Sequence, residues 1–187
     1  KLSVSNSGAC PHDTIINVVV NPSPIANFTT TNQCLTAATT FTNNSSVSSG
    51  TITGWAWDFD NNGTTDNTTE TPTHIYVTAG THTINLTVTS DNGCTHSFNT
   101  TATVFANPVA NFTTNTACEG AVTNFINTST NGSDLINQWA WDFDNNGTTD
   151  NTTETPTNNF TSAGTYPVRL TVSDANGCTH NTPINVV

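Results

Sequence analysis

The chain repeats itself. Trp55 to Thr73 and Trp139 to Thr157 are identical over 19 residues, at an offset of 84. The same offset relates Asn27-Phe28 to Asn111-Phe112, Cys34 to Cys118 and Cys94 to Cys178. A third, partial copy opens the chain, with Leu2, Val4 and Cys10 aligned to Leu86, Val88 and Cys94. A period of 84 exceeds a solenoid unit and suits a small sandwich domain. Residues 1–20 read as the last two strands of a preceding copy, and Val187 falls near the end of the same last strand two copies on. The expected organisation is a window on a longer array: a C-terminal hairpin of a preceding repeat at 1–23, then full domains at 24–106 and 107–187.

Each copy reads as all-β. Trp55, Trp57 and Phe59 alternate with Ala56 and Asp58, which places three aromatics on one face. His82, Ile84, Leu86 and Val88 alternate with Thr83, Asn85, Thr87 and Thr89 in a second strand. That strand ends at Asp91-Asn92-Gly93, a hairpin turn signal, and a third runs from about Cys94 to Val104. Asn107-Pro108 marks a short linker, because proline cannot donate to a ladder. No segment has helical periodicity or the apolar length to span a bilayer. Two aromatic-rich faces per copy fit one two-sheet, immunoglobulin-like β-sandwich each. The hairpin at residues 1–20 exposes Leu2, Val4, Ile16 and Val18, which need partner strands from elsewhere.

These residues resemble a known family. Trp57-Asp58-Phe59, Pro-Thr-His-x-Tyr at 72–76, Gly-Thr-x-Thr-x-x-Leu-Thr-Val at 80–88 and Asp-Asn-Gly at 91–93 are similar to the polycystic kidney disease (PKD) domain. The second copy repeats Trp141-Asp142-Phe143, Gly164-Thr165-Tyr166 and Leu170-Thr171-Val172, and departs at Asn158 and Phe160, where the pattern has His and Tyr. The resemblance covers nearly the whole of both copies. It implies a secreted setting and use in surface adhesins or as accessory modules of secreted hydrolases. The usual Gly-Asp-Gly after Trp-Asp-Phe is replaced here by Asp60-Asn61-Asn62-Gly63.

That replacement is the chemical candidate. Asp58, Asp60, Asn62 and Asp66 stand at positions 1, 3, 5 and 9 of a loop with Gly63 at position 6, the ligand order of a calcium loop. Thr64 adds a backbone carbonyl, and Glu70 lies one residue past position 12. The second copy repeats the set as Asp142, Asp144, Asn146, Thr148, Asp150 and Glu154. The two loops hold eight of the 13 acidic residues, and close carboxylates without cations repel one another. The competing reading is a turn in which the acids cap backbone N–H groups. Calcium is the one expected cofactor.

Five cysteines recur in two places, Cys34 and Cys118 before the second strand, and Cys10, Cys94 and Cys178 after the last turn. In a secreted chain they form a disulfide framework with three connectivities to weigh. Pairing within a copy joins Cys34 to Cys94 and Cys118 to Cys178. Sequence neighbours would join Cys10 to Cys34 and Cys94 to Cys118. The two places lie at opposite ends of a sandwich, and a strand of eight residues spans ~27 Å, whereas bridged Cα atoms lie within ~7 Å. That argument favours a bridge between successive domains, Cys34 to Cys178, with free thiols or metal binding as the remaining alternatives.

Two Lys and Arg against 13 Asp and Glu, a formal charge of −11, exclude binding to nucleic-acid phosphates and disfavour anionic membranes. No nucleophile motif, P-loop or dinucleotide fingerprint occurs, so no enzyme activity is expected. His12, His96 and His180 recur at one strand position and are read as solvent-facing or packed. Asn27, Asn43, Asn67, Asn111 and Asn151 lie in Asn-x-Ser/Thr triplets, used where the source has the glycosylation machinery. The expected function is a non-catalytic extracellular or cell-surface fibre or stalk, structural or adhesive. Its partners would be neighbouring repeats of the same chain or the same fibre. The alternatives are an adhesin module for glycans or other cells, and a spacer in a secreted multidomain hydrolase.

Overall fold

The computed structural model describes residues 1–5, 7 and 11–187; Cys10 lies outside the described residues. All regular structure among them is strand. A short hairpin comes first, β1 (Leu2–Ser5) against β2 (Pro11–Thr14), in the register Leu2↔Thr14 to Ser5↔Pro11. The pairing ends at Leu2↔Thr14, and Ile16 lies beyond β2. Ile16 and Val18 are accordingly 77% and 82% exposed.

The first sandwich comprises β3 (Phe28–Thr30), β4 (Gln33–Cys34), β5 (Ala38–Asn43), β6 (Ile52–Asp58), β7 (Thr73–Ile75), β8 (Gly80–Ser90) and β9 (Thr95–Phe105). One sheet has the order β3-β5-β7 and the other β4-β9-β8-β6. The period-2 pattern drives it. In β8, Ile84, Leu86 and Val88 are fully buried while the residues between them are only half-buried. In β5, Thr39 and Phe41 turn inward. Trp57 sits at the centre with no exposed surface, edge-on to Phe28 at 4.9 Å between ring centroids. Truncating a buried tryptophan to alanine costs about 3–5 kcal/mol, a large share of the stability of so small a domain.

The second sandwich repeats the plan with β10 (Phe112–Thr114), β11 (Val122–Asn127), β12 (Ile136–Asp142), β13 (Thr157–Asn159), β14 (Tyr166–Asp174) and β15 (Thr179–Val186). Its sheets are β10-β11-β13 and β12-β14-β15, around the buried Trp141, Phe112, Phe125, Leu170 and Val172. Both domains carry the same ladder irregularity, between Ile52 and Gly54 and between Ile136 and Gln138. The second domain has no counterpart of β4. In the first domain β4 pairs in parallel with Val104 and Phe105.

The connection from β6 to β7 passes from sheet to sheet and carries the acidic loop. β6 pairs with β8 and β7 pairs with β5, so residues 59–72 leave one sheet and join the other. The segment is therefore not a plain hairpin turn. It folds back once, at the isolated antiparallel bridge Trp57↔Asn67, before crossing. The same bridge recurs at Trp141↔Asn151.

Candidate functional site

The crossing loop is built from its first acid. β6 brings Asp58 to its end with 8% of its surface exposed, and the next residue, Phe59, plugs into the core. Asn61 (φ 55) and Gly63 (φ 88) then take the left-handed conformation, which asparagine and glycine tolerate best. That curl turns backbone N–H groups inward. Asn62 N donates to Asp58 Oδ1 at 3.1 Å and Gly63 N donates to Asp58 Oδ2 at 2.8 Å. Phe59 N donates to Asp66 Oδ2 at 2.7 Å, and Asn62 Nδ2 donates to Asp60 Oδ2 at 2.9 Å. Thr64 N donates to Asn62 Oδ1 at 2.8 Å. Trp57 Nε1 holds the far side through Thr69 O at 2.9 Å. The second loop reproduces this network around Asp142, Asp144, Asn146, Thr148 and Asp150.

The result gathers carboxylates. Asp58, Asp60 and Asp66 each present an oxygen within 4.8 Å of the others, as do Asp142, Asp144 and Asp150. Asn62 and Thr64, with Asn146 and Thr148, stand inside each loop as parts of its hydrogen-bond scaffold. Glu70 and Glu154 are not in the clusters. Glu70 accepts from Asn43 Nδ2 and Glu154 from Asn127 Nδ2, both at 3.2 Å, tying the loop to β5 and β11. Burial pushes Asp58 and Asp142 up, but the N–H groups of Gly63 and Asn62, and of Gly147 and Asn146, outweigh it and hold both carboxyls below the ordinary 3.8. Tyr76 closes the first site. Its hydroxyl donates to Phe59 O at 3.0 Å, and burial, with Asp60 and Asp66 nearby, pushes it up to about 12.

The donor set suits a hard cation. Each carboxylate oxygen that accepts one N–H keeps a second lone pair. The one ion pair among the described residues joins Lys1 to Asp13, far from either loop in sequence. Arg169 lies opposite Asp142 in the ladder yet forms no ion pair with it. Three carboxylates gathered within 4.8 Å, with no ion-pair partner among the described residues, could hold a metal ion. Asp58, Asp60 and Asp66, or Asp142, Asp144 and Asp150, would hold the ion, which would supply the missing positive charge and cross-link the loop.

A second constructed feature lies between the domains. Cys34 is bonded to Cys178 across 144 residues, with Cα atoms 5.4 Å apart. Cys34 ends β4 beside Phe105, the last residue of β9, so it stands where the chain leaves the first domain. Cys178 follows the β14–β15 turn and is fully buried. Around the bond, Ala106 N donates to Ser133 Oγ at 2.7 Å, Ser133 N to Ala106 O at 3.1 Å and Asn107 Nδ2 to Leu35 O at 3.3 Å. Gly132 permits the contact, since a Cβ there would sit 2.1 Å from Ala106 O. Of the connectivities open at the sequence level, the structure holds this one, and Cys94 and Cys118 are free.

Sequence reasoning missed one pair of contacts. His96 Nδ1 accepts from Ala26 N, and His180 Nδ1 from Ala110 N, each at 3.0 Å. Both rings lie at the surface, but each pins the segment that enters its domain, just before the first strand, to the last strand. The shared 84-residue offset of the histidines was the available signal; their partners, 70 residues away, were not visible in it.

Comparison with known proteins fits this architecture. The PKD domain family matches residues 21–106 and again residues 105–187. The chain belongs to the PKD domain family. Among solved structures, the PKD1 domain of Vibrio anguillarum Epp is 34% identical, covering 46% of this chain and 96% of that one, with a TM-score of 0.41. The PKD1 domain from the Vibrio cholerae metalloprotease PrtV is 36% identical over 44% of this chain and 96% of that one, with a TM-score of 0.40. The I67–I69 fragment of titin, at 14% identity, 88% and 65% coverage and a TM-score of 0.47, is similar in fold alone. No curated protein matches the chain. The two PKD domains support a structural, spacing or binding role, and PKD domains are generally non-catalytic modules, though they occur in enzymes.

Proposed function

We propose that the chain is a non-catalytic segment of an extracellular fibre or stalk, in which successive PKD domains are clamped into one fixed relation. The Cys34–Cys178 bond carries the reading. A spacer that only needs reach is served by a flexible linker. Here a covalent bond, three linker hydrogen bonds and an obligatory glycine hold one domain against the next. Such a bond persists in an oxidising, extracellular setting. The hairpin at residues 1–23 is read as the end of a preceding repeat, with domains at 24–106 and 107–187. Calcium in the two carboxylate clusters would stiffen the crossing loops and complete each domain as a rigid bead.

Small-angle scattering on the oxidised and the reduced chain tests the clamp. The oxidised protein should give a distance distribution with two sharp features, one within and one between domains. Reduction should smear the second and leave the first. An oxidised protein whose interdomain distances are already as broad as those of the reduced one would refute the reading.

A further inference from the structure

The two crossing loops have one sequence, since residues 55–73 and 139–157 are identical, so any difference between them comes from what faces them. Across the ladder, Asp58 on β6 meets Asn85 on β8, whereas Asp142 on β12 meets Arg169 on β14. The next rung is the same in both domains, Ala56 against Thr87 and Ala140 against Thr171. In the first domain a cavity of about 110 Å³ lies between sheet and loop. Asp58, Asn85 and Thr87 line it from the sheet, and Gly63, Thr64 and Thr65 from the loop. Asp58 is 8% exposed, and each of its oxygens accepts one backbone N–H and keeps a second lone pair. Asn85 Oδ1 is buried and has no hydrogen-bond partner. A buried acceptor without a donor is rare in folded proteins and marks the place of a water or an ion. At about 30 Å³ per water, the cavity has room for an ion with about two or three waters.

Arg169 offers nothing equivalent. Its guanidinium has donors only and is always charged. Its Nε is buried without a partner, and no carboxylate among the described residues forms an ion pair with it. Nothing therefore neutralises that charge beside Asp142.

We propose that Asn85 is an oxygen ligand of a calcium ion held with Asp58 at the first loop, and that Arg169 weakens calcium binding at the second. The chain then takes one ion tightly and one weakly, although the loops are identical. This rests on the calcium reading above and adds which loop binds. Calcium takes six to eight oxygens. Asn85 adds one to the three carboxylates of the first loop, and waters in the cavity complete the shell. The second loop loses that oxygen and gains a like charge in its place.

The test uses the whole oxidised chain, with calcium alone as the probe. Asp144→Ala leaves the first loop to bind and Asp60→Ala leaves the second, and each variant is titrated by isothermal calorimetry. The first loop should bind about tenfold more tightly, which is what one positive charge close to a divalent ion costs in water-like surroundings. Added to Asp144→Ala, Asn85→Leu should weaken binding and Asn85→Asp should tighten it. Added to Asp60→Ala, Arg169→Asn should bring the second loop to the affinity of the first. That variant gains binding, so misfolding does not imitate it. Equal affinity in the two single-loop variants would overturn the proposal, as would an Arg169→Asn that leaves the second loop unchanged. A weaker site in Asn85→Asp would mean that the amide serves Asp58 as a donor, and would overturn Asn85 as a ligand. Calcium bound by neither loop would remove the calcium reading and this proposal together, whereas tight binding at both loops alike removes this proposal alone.

Discussion

Reduction of the Cys34–Cys178 bond should lower the stability of both domains together. The magnitude follows from what the bond closes. If the second domain unfolds while the first stays folded, Cys34 is still fixed beside Phe105. The loop tied off is then not the full 144 residues between the cysteines but the stretch from Phe105 to Cys178. Closing a loop of about 73 residues removes unfolded-state entropy equivalent to ~4 kcal/mol. If the first domain unfolds instead, the free stretch runs from Cys34 to the docked linker at Ala106, again about 70 residues and again ~4 kcal/mol. Native-state strain lowers such values in practice, so the expected loss is about 2–4 kcal/mol per domain. For domains of this size each kcal/mol moves Tm by about 4–8 °C, which gives a fall of roughly 8–32 °C. Calorimetry measures it, on protein whose free Cys94 and Cys118 have first been alkylated. Bonds within a copy, Cys34–Cys94 or Cys118–Cys178, would each tie off a loop inside one domain only. A reduced protein melting within about 2 °C of the oxidised one, or a shift confined to half of the heat uptake, would refute the interdomain argument.

Calcium at ~100 times its dissociation constant should raise stability by ~2.7 kcal/mol, and Asp60→Ala with Asp144→Ala should abolish both that rise and its reversal by chelator; a melting curve indifferent to calcium leaves the clusters as backbone caps. Gly132→Ala places a Cβ 2.1 Å from Ala106 O and should cost about 1–3 kcal/mol of overpacking, seen as a broadened interdomain distance in scattering. Gly164→Ala, whose Cβ would meet only Tyr166 at 3.9 Å, should be neutral. Tyr76→Phe strands Phe59 O and should cost the first domain about 1–2 kcal/mol, measured by denaturant titration. In calcium-free buffer, Asp58 and Asp142 release their protons more readily folded than unfolded, so their contribution is complete above the ordinary 3.8 and is lost as pH falls through the lower folded value. Tm should therefore fall steeply in that acid window, and more gently in Asp58→Asn with Asp142→Asn.

The all-β architecture was legible because one mechanism sets it. Alternation over Ile84, Leu86 and Val88, repeated at Val168, Leu170 and Val172, determines which face is buried, and the structure buries those six residues completely. The carboxylate clusters were legible down to Asp58, Asp60 and Asp66, since spacing within a tight loop nearly determines what meets. Glu70 was not. Ligand spacing taken from a loop between two helices does not apply once the chain crosses to another sheet, and the crossing turns Glu70 toward Asn43 on β5. The partners of His96 and His180 escaped for a related reason, because each contact depends on where a strand begins 70 residues earlier.

The 84-residue period itself hides a difference. The two crossing loops have one sequence and nearly one geometry, yet their supports diverge. Tyr76 ties the first loop through Phe59 O, while Phe160 at the same place has no hydroxyl to do so. Phe59 is 2% exposed and Phe143 8%. At the domain tops Gly132 and Ala106 make a contact that Ser48 and Pro22 lack the chemistry to repeat. The repeat thus preserves the fold and the loop while the residues that join one unit to the next vary. Similar domains need not make identical junctions, and the contact between these two domains is made at Gly132, Ala106 and the Cys34–Cys178 bond.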